Sequence, residues 1–299
     1  MKNILEQATN KVNIVGKLLD TTFNHGVTKT GAPYERANLT VRVTQTYNGQ
    51  EEVSEIPIGM FASQFTSKGT PNPAYKSLQD LKEMKTAQNV GFDAADTIRI
   101  TNGTVRENNF VSKSGQLING WQLNASFINK GSTADVASFV LDIFIMDMHD
   151  EVDRNGEPTG RLIIKGGLVQ YGGKLDILEF VVEGSEKVDY IQRNWEINQT
   201  VTVKGRIRVT SVEEKNSGSE GSWGEDIPEV STRMIRELVI STGSDEGKEE
   251  EFSYDPTDIK KAFNVRKAEI EQLLIDARQG ATKSAAPATA TTASKYSWE

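Results

Sequence analysis

Between Asn10 and Val43 the sequence alternates with period two. It reads N-K-V-N-I-V-G-K-L, passes through a glycine-containing turn, and resumes as Y-E-R-A-N-L-T-V-R-V. Successive strand side chains point to opposite faces, so an extended conformation turns this pattern into one apolar and one polar surface. In the second run Ala37, Leu39, Val41 and Val43 share one parity and predict the buried face, while Tyr34, Arg36 and Arg42 share the other. A free sheet face with an aromatic ring and two guanidinium groups has the parts of a platform for unpaired bases. Rings stack on bases and cations neutralise phosphates.

The 299 residues suit two domains. In residues 1–130, Val12–Leu19, Tyr34–Tyr47 and Glu52–Phe61 read as strands. Pro71 and Pro73 introduce a helix with Tyr75, Leu78, Leu81 and Met84 at helical spacing. Thr97–Val111 and Leu117–Ile128 follow as strands joined by the turn Ser112–Gly115. Three strands, a helix and two strands is the order of an OB barrel.

Residues 131–137 read as a linker, and the order then returns over 138–243. Phe139–Met148, Arg161–Tyr171 and Lys174–Val182 are strands, Val188, Ile191 and Trp195 mark a helix face, and Thr200–Val212 and Arg233–Ser241 are the last strands. Thr97–Arg106 (T-I-R-I-T-N-G-T-V-R) parallels Thr200–Arg208 (T-V-T-V-K-G-R-I-R), each with a glycine suited to the bend of a closing barrel. Asp255 and Pro256 open a C-terminal helix over 255–279 with an apolar stripe of Ile259, Phe263, Ile270, Leu273 and Ala277, and Gly280 ends it. Residues 280–299 have the composition of a disordered tail, with the aromatic tip K-Y-S-W-E. The expected fold class is mainly β: two tandem OB-fold barrels with short helices, a C-terminal helix and a disordered tail.

N-K-V-x-I-V-G-x-L followed by A-N-L-T-V resembles the opening strands of bacterial and phage single-stranded DNA-binding proteins of the OB-fold type. The resemblance covers residues 1–130 directly and the second unit by architecture. It implies sequence-independent binding of single-stranded DNA in replication, recombination or repair, by a homo-oligomer in the cytoplasm, that of a bacterial host if the chain is phage-encoded. It also implies a C-terminal tip that docks replication or recombination proteins. Here that tip is Tyr296, Trp298 and Glu299, without the family's aspartate run. The third strand, E-E-V-S-E-I-P-I-G-M-F, lacks the tryptophan often found there and carries Glu51, Glu52 and Glu55.

The nucleic-acid-binding candidates in the first unit are Lys17, Phe23, Tyr34, Arg36, Arg42, Arg99, Arg106, Phe110, Lys113 and Trp121. Trp121 shares parity with Leu123, Ala125 and Phe127, so a core role competes for it. In the second unit the candidates are Lys165, Tyr171, Lys174, Arg206 and Arg208.

The formal charge is −8. It is unevenly spread: 13 Lys and Arg against 10 Asp and Glu over residues 11–130, but 9 against 13 over 131–212 and 11 against 18 over 213–299. A mildly basic first unit can meet phosphates while the remainder sets the total. There is no cysteine, which removes thiolate nucleophiles, disulfides and Cys-based zinc sites. No apolar run approaches the roughly 20 residues that span a bilayer, and M-K-N-I-L-E-Q has no signal-peptide core. Asp147, Asp150, Glu151 and Asp153 beside Asn155–Gly156 only partly imitate a calcium loop and read better as a charged hairpin; His25 and His149 read as surface residues. The phosphate-loop, zincin and nucleophile-elbow motifs are absent. The expectation is a non-enzymatic protein without cofactor or metal. The competing readings are a structural or adaptor protein such as a virion component and, more weakly, a nuclease built on the Asp147–Asp153 carboxylates.

Overall fold

The computed structural model describes residues 5–28, 31–112, 114–131, 134–216, 229–245, 247 and 253–284. The alternating run folds into strands longer than the pattern predicts. β1 (Asn10–Val27), β2 (Pro33–Tyr47) and β3 (Gln50–Ser63) form an antiparallel meander. Ala37, Leu39, Val41 and Val43 face inward at 0–2% exposure, joined from β3 by Ile56, Ile58 and Met60. Asn48 and Gly49, both at positive φ, make the two-residue turn that the right-handed twist of paired strands favours. The Asn72 side chain accepts a hydrogen bond from the Ala74 N–H and starts α1 (Pro73–Lys82), with proline at the position where no N–H is needed.

α2 (Ala87–Val90) leads into β4 (Thr97–Glu107). β5 (Phe110–Val111) and β6 (Leu117–Ile118) form a separate two-stranded hairpin, before β7 (Trp121–Ala125) and β8 (Asn129–Lys130). The expected strands Thr97–Val111 and Leu117–Ile128 are therefore each broken. β3 pairs with β7 in parallel, β7 with β4, and β4 with β1, so the pairings run β1–β2–β3–β7–β4 and return to β1.

The second half repeats that circuit. β9 (Val136–Val152), β10 (Pro158–Val169) and β11 (Leu175–Val182) precede α3 (Ser185–Asn194), β12 (Thr200–Asn216) and β13 (Glu229–Gly243). Pairing runs β9–β10–β11–β13–β12 and back to β9, again with one parallel contact, β11 to β13. The two short matching segments fall on the corresponding strands, β4 and β12. A Cβ on Gly205 would lie 2.0 Å from the Val239 carbonyl oxygen and 2.5 Å from the Phe139 ring, so only glycine allows that approach.

The expected linker is not a free joint. Val136 pairs with Val15, and Asn10–Val15 run antiparallel to Val136–Leu141, so β1 completes one circuit and adds to the other. One hydrophobic cluster accordingly continues from Leu39 and Val41 to Phe139 and Phe180. α4 (Pro256–Ser284) runs past Gly280, because a helical glycine costs only about 1 kcal/mol and does not by itself stop a helix. Arg266 on α4 pairs with Glu107 of β4, and Lys174 reaches Glu269 at 3.4 Å, so the helix touches both halves. The tail beyond Ser284 lies outside the described residues.

Candidate nucleic-acid interface

The polar parity of the first meander forms a continuous outer surface. Arg36 pairs across to Phe61, and Asn38 to Gly59. Gly59 pairs with Asn124, and on the neighbouring strands Arg106 pairs with Gln122. Arg36, Asn38 and Arg106 are exposed, and Phe61 keeps 51% of its surface free. Tyr34 is half-buried, its ring lying across Gly26 and tilted on Phe61 with centroids 5.2 Å apart. A Cβ at Gly26 would fall 2.7 Å from the tyrosine hydroxyl oxygen, so this glycine seats the ring. Beneath, Ile56, Ile58 and Met60 hold the strand. Arg36, Arg99 and Arg106 form no ion pair among the described residues. Rings and guanidinium groups on one surface suit a flexible polyanion with exposed π-faces.

Lys17 and Arg42 stand opposite one another on β1 and β2. The Lys17 ammonium donates to the Ala95 carbonyl at 2.8 Å and anchors the loop before β4. Arg42 lies 5.2 Å above the Phe92 ring and 2.6 Å from Glu55. That pair is solvent-exposed, so it is worth about 0–1 kcal/mol and leaves Arg42 available to a phosphate. Phe110 is half exposed on the β5–β6 hairpin.

Other candidates are placed differently. Phe23 packs against the core under the Lys82 ammonium, 5.5 Å from the ring centroid, and is not a free stacking ring. Trp121 is 8% exposed and lies inside, covered by the Arg236 guanidinium at 4.5 Å. Lys113, Tyr296, Trp298 and Glu299 lie outside the described residues. The correction with the clearest physical reason concerns Arg206 and Arg208. Arg206 is buried, 3.7 Å from the Tyr47 ring centroid and 2.8 Å from Glu183. Arg208 bonds Glu183 at 2.5 Å and also pairs with Glu237 and Glu52. Against burial, Glu183 and Glu237 hold the Arg208 pKa above its ordinary value. Lys187 donates to the Tyr47 hydroxyl at 2.7 Å, and that bond lowers the phenol's pKa against the opposing effect of burial. The two arginines fasten the halves together and are already neutralised. In the second half Lys165 lies 3.9 Å from Glu179, Lys174 reaches α4, and Tyr171 is 80% exposed on its turn. Among the described residues these three share no pairing with the first face.

Phe61 is the contact the candidates omit, although its signal is present: it sits off the Ile56–Ile58–Met60 parity. Phe92 lies in a loop and carries no such signal. The acidic hairpin is closed by the Asp153 carboxylate, which accepts from the Asn155 and Glu157 N–H groups at 2.8 and 2.9 Å. Among the described residues no group of three acidic or histidine side chains could hold a metal, and no helix is long and apolar enough to cross a membrane.

A family model described as YorF matches residues 8–274, and the chain belongs to that family. No curated protein matches the sequence. The crystal structure of the single-stranded DNA binding protein from Thermus aquaticus superposes with a TM-score of 0.50 at 12% identity, covering 84% of this chain and 99% of that one. A deletion mutant of the same protein gives 0.47 at 14% identity, over 84% and 98%. At such identity the wild-type likeness concerns the fold.

Proposed function

We propose that this YorF-family chain is a non-enzymatic protein that binds single-stranded DNA without sequence preference, through two tandem OB-fold barrels. The barrels correspond to residues 1–130 and 138–243, the second entered by β9 from Val136, and α4 (Pro256–Ser284) follows. The carrying observation is the outer surface on which Tyr34 and Phe61 stand beside Arg36, with Arg106 and Arg42 further along the same parity. Bases stack on the rings, which accept any base, and the guanidinium groups displace counterions from phosphates. One solved structure of similar fold is that of a single-stranded DNA binding protein, which supports the same reading.

A protein of this kind acts in replication, recombination or repair in the cytoplasm, phage-encoded and assembled with further copies, its tail tip at Tyr296, Trp298 and Glu299 docking partner proteins. Light scattering tests the assembly, and partner capture with and without residues 295–299 tests the tip.

The first experiment is fluorescence anisotropy on labelled oligo-dT at two salt concentrations with duplex as competitor. Tight, salt-weakened binding that duplex does not displace is the expected result. Absence of binding at low salt would refute the proposal and favour a structural or adaptor role.

A further inference from the structure

A groove of about 970 Å³ opens between the β5–β6 hairpin, the β10–β11–β13 sheet and α4. Phe110, Ile118 and Met234 expose large apolar side chains there. The groove starts at the Glu107–Trp121 pair, one register step from Arg106–Gln122 and on the opposite face, so the two are joined around the end of β4 and the start of β7. Its acidic residues are largely compensated: Glu107 by Arg266, Glu151 and Glu237 by Arg161, and Glu179 by Lys165, while among the described residues Asp147 meets only the His149 ring.

Arg236 is different. It is half-buried on Trp121, it has no carboxylate within ion-pair distance among the described residues, and its buried Nε–H meets no acceptor. Burial alone pushes its pKa down, yet a guanidinium remains a cation at neutral pH. A desolvated cation without an acceptor is costly unless an anion completes the site. Lys267, exposed on α4, is a second groove cation with no carboxylate partner among the described residues.

We propose that this groove is a second single-strand site, in which a backbone phosphate docks on Arg236 and Lys267 while a base stacks on Phe110. This rests on the single-strand reading and lengthens the path: DNA leaves the Tyr34–Phe61 face past Arg106 and enters between the two halves. A nucleic acid is favoured over an acidic peptide because the two cations share the groove with the exposed Phe110 ring, and a strand supplies both a phosphate and a base π-face. Phe110 then works from the groove side of its hairpin.

The test measures anisotropy of the full chain with oligo-dT of about 6 and about 30 nucleotides, lengths that bracket the roughly 4–16 nucleotides an OB unit covers. Arg236→Gln should weaken the long oligonucleotide on the order of tenfold, lose more there than on the short one, and reduce the long-oligonucleotide salt slope by about 0.7. Lys267→Gln, on an exposed helix position that cannot unfold the protein, should reduce the slope likewise. Thiothymidine crosslinks from the long oligonucleotide should reach Phe110. If wild type binds both lengths and both variants match it, with crosslinks confined to β2 and β3, the groove proposal falls while the single-strand reading stands. If wild type binds neither length, the reading itself fails. Shielding of Lys267 from amine labelling by self-association, independent of DNA, would make the groove an interface between copies and overturn the proposal.

Discussion

Phe61 and Arg36 separate the two halves of the binding mechanism. They are cross-strand partners on the outer surface, so a bound strand would meet both. Phe61 is 51% exposed, and its backbone is held by a fully paired β2–β3 ladder, so truncating it costs little of the fold. Removing a stacking ring should forfeit about 1–3 kcal/mol per base, a roughly 5- to 150-fold loss of affinity. Because no charge changes, the salt slope of Phe61→Ala should equal that of wild type. Arg36→Ala removes one phosphate contact, so its slope should fall by about 0.7, with an affinity deficit that shrinks as salt rises. Anisotropy titrations on oligo-dT over a salt series give both quantities for both variants. Phe61→Ala within twofold of wild type, with unchanged protein stability, would refute stacking on this face. A slope change in Phe61→Ala, or none in Arg36→Ala, would refute the division of roles. Tyr34→Ala is a poorer probe, because the ring packs on Gly26 and Phe61 and its loss disturbs the surface.

Arg206→Ala and Arg208→Ala should each destabilise the chain, and the double variant should cost about 1–3 kcal/mol beyond their sum. The reason is that Glu52 and Glu183 touch both arginines, so either single variant leaves each carboxylate one partner; additive urea midpoints would show the network is not shared. Asp176 carries a pKa raised first by burial, and it accepts from Gln170 at 2.9 Å and from the Glu107 N–H at 3.2 Å. The folded state therefore holds the proton more tightly, and stability falls as pH rises from the ordinary carboxyl range through the raised value. Asp176→Asn keeps an oxygen to accept these bonds, so its stability relative to wild type should grow across that window. Urea denaturation at pH 4 and pH 7 tests this, and a relative stability that shrinks between them would contradict it.

Much of the local structure was legible in the residues themselves. Period-two alternation decides which side of β2 is buried whatever it later packs against, because a strand has only two faces. Asn72 with Pro73 declares a helix start through groups that act within one turn. The glycine shared by the two matching segments falls on β4 and β12, the strands that close each circuit against β1 and β9. Phe61 was readable too, as an aromatic residue on the polar parity.

What lay beyond the sequence is pairing between distant elements. Arg206 and Arg208 look like free cations on a strand until tertiary structure brings up Glu52, Glu183 and Glu237 from elsewhere in the chain. Arg236 looks like one more surface arginine until Trp121 comes beneath it and, among the described residues, no carboxylate beside it. Residues 131–137 read as a linker because composition does not reveal that Val136 will find Val15. Alternation is a local property of the backbone, so the sequence by itself determined which faces could be apolar or charged. A charge acts through whatever lies within a few ångströms, and a strand edge through whichever edge meets it. Only the tertiary structure therefore decided which arginines stay open to a polyanion and which bind the two halves together.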